Sequence, residues 1–267
     1  HLKDIQIITP EEADNFKKFS EEYCNEKKRS GVSIYHAEDL MAQETYYGSK
    51  MVSNGLADAF IAGPTLSYPN CFVPIMNVIS TEQKSKAAGI FILIFKNRVL
   101  FLADCTAQVN PSAEDLADIA NATSVLYRKL MKKKANIAFL SFSNFGSNTH
   151  PQAKKVKEAV SITKTKYPSL KVDGELQADV AVNHRILDTL FDFSELDGPT
   201  DILIFPELNS ANMSYKLLQQ LSDADAIGPI LVPLNESVNI IQRTATVAEI
   251  VNMCTLTALL SVKSKRK

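Results

Sequence analysis

No apolar run in these 267 residues approaches the roughly 20 needed to cross a bilayer, so no spanning helix is expected. The start carries no signal-peptide pattern. The four cysteines (Cys24, Cys71, Cys105 and Cys254) include no pair at metal or redox spacing, which points to reduced thiols. The four histidines are equally scattered and form no HxxxH or HxH pair, so no zinc site is expected. A formal charge of −1 leaves no bulk field to draw in nucleic acid or an anionic membrane. The basic end (Lys263, Lys265, Arg266, Lys267) reads as a solvated tail. Repeats, low-complexity stretches and Gly/Ser linkers are also missing. These absences predict a cytoplasmic protein with no membrane or nucleic-acid partner.

What is present is core-forming. With 45% hydrophobic and 22% charged residues, the chain has material for one large domain or two lobes. Residues 4–8, 59–62, 90–95, 99–103, 137–140, 202–205 and 227–232 read as short buried strands. Amphipathic stretches lie between them. Ser112 with Asp115 predicts a capped helix to about Met131. Pro151 suits the first turn of a helix to about Lys166. Such alternation argues for α/β architecture with largely parallel sheets, in which ligands sit beyond the carboxyl ends of strands.

Four post-strand segments could carry chemistry. Residues 141–151 offer Ser141, Ser143, Asn144 and Ser147 ahead of a helix start. That suits a phosphate or carboxylate, or is simply a polar turn. Residues 172–179 place two acids around Gly174, either lining a cleft or capping a helix from near Leu176. Residues 205–216 contain Asn209 or Ser210 as a helix cap, followed by Asn212 and Lys216; that lysine meets a nucleotide phosphate or water. Residues 240–251 hold Gln242, Arg243 and a T-x-x-E capping box, Thr246 and Glu249. Glu249 there is a cap, or a carboxylate sharing a cleft with Arg243.

Taken in order, these segments resemble the phosphate acetyl/butyryltransferase (phosphotransacetylase) family, from about residue 3 to 260. KRSGV (28–32), YYGSKMVSNGLADAFIAG (46–63), LADCTAQVNP (102–111) and LSFSNFGS (140–147) carry the likeness. So do VDGELQADV (172–180), IFPELNSANMSYK (204–216), AIGPI (226–230) and TVAEIV (246–251). YYG before MV, and SNFGS before HP, look like the C-terminal domain of bacterial hybrid malic enzymes. The resemblance implies two three-layer α/β lobes of isocitrate/isopropylmalate dehydrogenase type, with the active-site cleft between them. The first lobe would be 1–88 plus 235–267 and the inserted one 89–234. It further implies that family elements before His1 are absent.

The family reaction joins acetyl phosphate and coenzyme A. By resemblance, Glu249 falls on the catalytic base, usually Asp, Arg243 on the substrate-binding arginine, and Gln242 on its assisting serine. Thr244 replaces a glycine and would be strained if that position needs positive φ. Lys27, with Arg29 close by, stands for one family arginine, and Val73 replaces another basic residue. Ser141, Ser143, Asn144, Ser147, Asn209, Asn212 and Lys216 complete the CoA- and phosphate-binding set. The departures favour an expectation of a malic-enzyme regulatory domain that binds acetyl-CoA or CoA with weak or no acetyltransferase activity. Its parent would oxidatively decarboxylate malate to pyruvate, and NAD(P) and a divalent metal would belong only to a covalently linked malic domain. The alternative is an active phosphate acetyltransferase or butyryltransferase. Neither reading places a cofactor or metal in this domain, and both expect a homodimer or larger homo-oligomer.

Overall fold

The computed structural model describes residues 5–82 and 85–262. The chain forms two compact units: residues up to Ser80 together with those from Leu234 onward, and Thr81–Pro233. The first expected division, after residue 88, therefore falls earlier. Glu82 N–H donates to Pro233 O (3.1 Å), tying residue 82 into the second unit, while Asn235 N–H donates to Ser80 O (3.0 Å) in the first.

The first unit opens with helices α1 (Phe16–Lys27), α2 (Ile34–Met41) and α3 (Glu44–Ser53). Phe16, Phe19 and Tyr23 recur at helical spacing, so they share a face of α1. Phe19 and Tyr23 are buried in a cluster with Ala37, Met41, Tyr46 and Tyr47. Strand β1 (Ala59–Ala62) and helix α4 (Tyr68–Val78) follow. Residues 5–9, expected to be partly a strand, are unpaired coil; Asp4 lies outside the described residues.

The second unit runs β2 (Ala88–Phe95), β3 (Arg98–Ala103), α5 (Ala113–Met131), β4 (Asn136–Leu140), α6 (Pro151–Lys166), β5 (Lys171–Leu176), α7 (Ala178–Val182), α8 (His184–Leu190), β6 (Ile202–Ile204), α9 (Leu208–Leu221) and β7 (Asp225–Val232). The chain then returns to the first unit as β8 (Ser237–Ile240) and α10 (Val247–Ser261). Strand order in the second unit is β5-β4-β6-β3-β2-β7. β4–β5, β4–β6 and β3–β6 pair in parallel; β2–β3 and β2–β7 are antiparallel. β1 and β8 pair in parallel. The fold is mixed α/β with parallel pairing in the majority.

Helices cover both faces of the larger sheet, and the strand period shows it. Leu100 and Leu102 of β3 share a buried cluster with Tyr215 of α9. Phe101, between them, meets Tyr127 of α5 edge-on at 5.0 Å. Among the described residues no helix is long and apolar enough to cross a membrane.

Residues 172–176, expected as a glycine turn before a helix near Leu176, are strand; the helix begins at Ala178. The acids there are consumed by neighbouring loops. Asp173, 5% exposed, accepts from Ser194 Oγ and Glu195 N–H (both 2.8 Å). Glu175, 1% exposed, accepts from Ser143 Oγ (2.9 Å) and Gly146 N–H (2.5 Å). Strand β8 is a further element that the sequence pattern did not separate.

Candidate functional site

In the second unit, the carboxyl ends of β4 and β6 open into a cavity of about 490 Å³. Its apolar wall includes Leu140, Phe142 and Phe205, and its polar groups include Ser141, Gln152, Glu207, Ser210 and Ser214. The volume is that of a small-molecule site.

Two helix starts shape it. Helix α9 is capped by Glu207, not by Asn209 or Ser210 as expected, because its longer side chain reaches both N–H groups. It accepts from Asn209 and Ser210 N–H, each at 2.7 Å. Burial alone would raise the Glu207 carboxyl. Those two N–H groups, the Ser210 hydroxyl and Lys155 outweigh it and hold Glu207 below the usual glutamate range. The Lys155 ammonium donates to Pro206 O (2.8 Å), Asn110 Oδ1 (3.1 Å) and Pro111 O (3.2 Å). Burial holds it below the usual lysine range, against the pull of Glu207. It thereby ties the α9 entry to the loop after β3.

The other start is the 141–150 loop ahead of α6, capped by His150 Nδ1, which accepts from Gln152 N–H at 3.2 Å. Ser141 faces the cavity. The other polar groups expected there are spent inside the loop. Ser143 Oγ donates to Glu175 and accepts from Asn148 N–H (3.0 Å). Ser147 Oγ lies 3.1 Å from Ser143 Oγ and accepts from Asn144 N–H (3.0 Å). Asn144 pairs with Gln177 through its oxygen (2.7 Å) and its amide nitrogen (3.1 Å). On α9, Asn212 Nδ2 donates to Cys105 O (3.3 Å), Asn209 is exposed, and Lys216 Nζ lies 5.3 Å from the Tyr215 ring centroid.

The loop is strained at Phe145, whose φ of 46° is left-handed; Gly146 follows at 85°. A non-glycine residue there costs about 1–3 kcal/mol. Packing against Phe191 (5.1 Å) and Phe193 (4.8 Å) helps offset it.

In the first unit, the carboxyl ends of β1 and β8 lie at one edge because the strands are parallel, joined by Ile241 N–H to Ala62 O (2.8 Å). The segment after β8 carries Gln242, half-buried, and Arg243, exposed. The T-x-x-E capping box at α10 is formed. Glu249 Oε2 accepts from Thr246 N–H (2.7 Å) and Oγ1 (3.0 Å), and Thr246 Oγ1 accepts from Glu249 N–H (3.2 Å). Thr244 does not have positive φ; Phe145 and Lys132 are the non-glycine residues that do among those described. The strain expected at Thr244 is therefore absent, and the substitution fits the backbone. Val73 is 53% exposed on α4. Lys27 ends α1, half-buried, and Arg29 is exposed in the turn that follows.

The sequence reading missed Gln152, Glu207, Ser214 and Lys155; it picked out Glu175 as a cleft-lining or helix-capping acid but not its hold on the 141–147 loop. Glu207 had a signal, a carboxylate two and three residues ahead of the N–H groups it caps after a strand-ending proline. Lys155 had none, since its acceptors lie more than 40 residues away in sequence.

The comparisons with known proteins agree with one another. Phosphate acetyltransferase of Nitratidesulfovibrio vulgaris is 35% identical over 256 residues, 96% of this chain and 36% of the relative. That of Synechocystis sp. is 32% identical over 97% of this chain and 37% of the relative. The chain thus spans little more than a third of these two relatives. Phosphate acetyltransferase of Thermoanaerobacterium thermosaccharolyticum is 31% identical, over 97% of this chain and 81% of the relative. Among solved structures, a phosphotransacetylase from Streptococcus pyogenes superposes with a TM-score of 0.91 at 32% identity, covering 98% of this chain and 80% of that one. These findings overturn the expectation of a malic-enzyme regulatory domain: the relatives matching the chain almost end to end are phosphate acetyltransferases, and the malic-type wording at 46–52 and 143–151 carries no weight against them. A family model described as "Phosphate acetyl/butaryl transferase" matches residues 1–258, and the chain belongs to that family.

Proposed function

We propose that this chain carries phosphate acetyltransferase activity: acetyl-CoA and phosphate give acetyl phosphate and CoA, and the reverse. The observation that carries the reading is the match to phosphate acetyltransferases over 96–97% of the chain at 31–35% identity. In the direction of thioester synthesis, the CoA thiol loses its proton, its sulfur attacks the acetyl carbonyl, and the carbonyl–phosphate bond breaks. Glu249 is the proposed base. A thiol has a pKa of about 8.5, so a positioned carboxylate speeds the step, and the capping box fixes where Glu249 sits. Arg243 supplies positive charge to the departing phosphate, with Gln242 beside it. Lys27 and Arg29 are proposed for the phosphate groups of the substrates.

The cavity in the second unit is proposed for an uncharged part of the CoA substrate, its amide-bearing pantetheine arm. Apolar walls, three serine hydroxyls and the Gln152 amide suit such a chain, whereas ionised Glu207 would repel a phosphate. Asn209, Asn212 and Lys216 on α9 are proposed to meet the rest of the molecule. Butyryl transfer is the related alternative. We also propose a homodimer.

The test is thioester formation by purified protein from CoA and acetyl phosphate, with butyryl phosphate alongside. Turnover that scales with protein concentration is expected. A folded preparation that forms neither thioester ends the proposal.

A further inference from the structure

We infer that Glu175 is a positioning residue for CoA: from the end of β5 it holds the 141–147 loop in the shape that sets Ser141 and Phe142 in the cavity wall. This rests on the proposed function, since it concerns the seating of that substrate. The 172–179 segment stands out in the sequence yet touches none of the reacting groups proposed above.

The bonding of Glu175 runs one way. Its Oε1 accepts from Ser143 Oγ at 2.9 Å and Gly146 N–H at 2.5 Å, and its backbone O accepts from Phe145 N–H at 2.9 Å. Oε2 is buried and has no hydrogen-bond partner among the described residues, so the carboxyl serves the loop. Gln177, two residues on, grips the same loop from the same side. It donates from Nε2 to Phe142 O (2.8 Å) and from its N–H to Asn144 Oδ1 (2.7 Å). Together they engage residues 142–146.

The loop needs that hold, because Phe145 is left-handed at φ 46°. Without an acceptor at Glu175, the Gly146 N–H loses its partner and Ser143 Oγ loses the bond that orients it toward Asn148 N–H. Relaxation of Phe145 would then move residues 141 and 142, whose side chains line the cavity. Contacts to the amide-bearing part of the CoA arm, several bonds from the sulfur that attacks the carbonyl, are lost equally from ground and transition states. That raises KM for CoA and leaves kcat.

Steady-state kinetics on Glu175→Ala and Glu175→Gln test this, varying CoA and acetyl phosphate separately. For Glu175→Ala we expect KM for CoA to rise on the order of tenfold, with kcat and KM for acetyl phosphate within about twofold of the parent protein. Glu175→Gln, which keeps an acceptor oxygen, should recover most of that loss. Ser143→Ala should show the same split more weakly and stands in if Glu175→Ala does not fold. A fall in kcat with both KM values unchanged would mean only that less protein is folded, and would overturn the inference. So would an unchanged KM for CoA, or equal impairment of the alanine and glutamine variants. If the parent protein forms no thioester, the proposed function fails and this falls with it. If the parent turns over and the variants match it, this inference alone fails.

Discussion

Lys50 is 2% exposed, with its ammonium 2.9 Å from Glu26 Oε1 and 3.2 Å from Glu22 Oε2. The two acids are one turn apart on α1, so one lysine from α3 is clamped between them. The acids are 32% and 52% exposed, whereas the lysine is not. The consequences of substitution should therefore be unequal. Removing both acids (Glu22→Ala with Glu26→Ala) strands a buried ammonium and should cost about 3 kcal/mol. Lys50→Met removes the desolvation cost along with the pair and should stay within about 1 kcal/mol of the parent. Urea unfolding midpoints at constant m compare the two. Equal losses would mean that the ion pair itself carries the stability. Arg243 presents the opposite case, an exposed cation with a proposed chemical role. Arg243→Ala should leave the unfolding midpoint unchanged and lower kcat/KM by about 100- to 1,000-fold. A flat kinetic response would remove Arg243 from the mechanism.

At the scale of elements, the α9 cap makes a pH prediction. Glu207 lies below the usual glutamate value of 4.5 in the folded protein. Its contribution is therefore full above pH 4.5 and is lost as pH falls through the lowered value. Glu207→Gln should cost about 1 kcal/mol at neutral pH, from the cap and the helix dipole. Parent and variant should converge at pH below the folded-state value, as read by chemical unfolding at a series of pH values. A gap that persists into strong acid would assign the loss to packing. Two caps were legible from a short side chain and an N–H close by in sequence: the Ser112–Asp115 and Thr246–Glu249 boxes form as read, whereas the equally local caps at Ser33, Ser67 and Asn183 were not read. Apolar strands such as β3 were legible too. β5 was not, because Asp173, Gly174 and Glu175 look like a turn until the loops that satisfy them are in place. β8 (SVNI) hid because Asn239 is buried; its amide donates to Thr257 Oγ1 at 2.9 Å, a partner one helix away. The candidate site divides the same way. Side chains named from the 141–147 segment are there, but Ser143, Asn144 and Ser147 turn inward to Glu175, Gln177 and one another, and no sequence spacing reveals that.

At the scale of the whole molecule, α9 leaves an apolar stripe uncovered. Met213, Leu217 and Leu221 recur every fourth residue, on one face, and are 58%, 59% and 82% exposed. The one charge on the helix is Lys216. Three large apolar side chains in a row favour burial, and the proposed homodimer would provide it through a two-fold contact in which the same face meets itself. They are only part of the roughly 800 Å² that each partner of a stable complex buries, so the stripe would be the centre of a larger patch. One charge placed there should act strongly, because an unpaired carboxylate at a desolvated centre costs several kcal/mol. Leu217→Glu should therefore convert dimer to monomer in sedimentation velocity at micromolar concentration. Leu217 lies outside the cavity wall, so monomeric variant and dimeric parent also show whether CoA seating depends on assembly: an unchanged KM for CoA would make each chain a complete binding unit. A parent protein that sediments as a monomer at every concentration would remove the dimer proposal, and a variant that stays dimeric would move the interface away from α9.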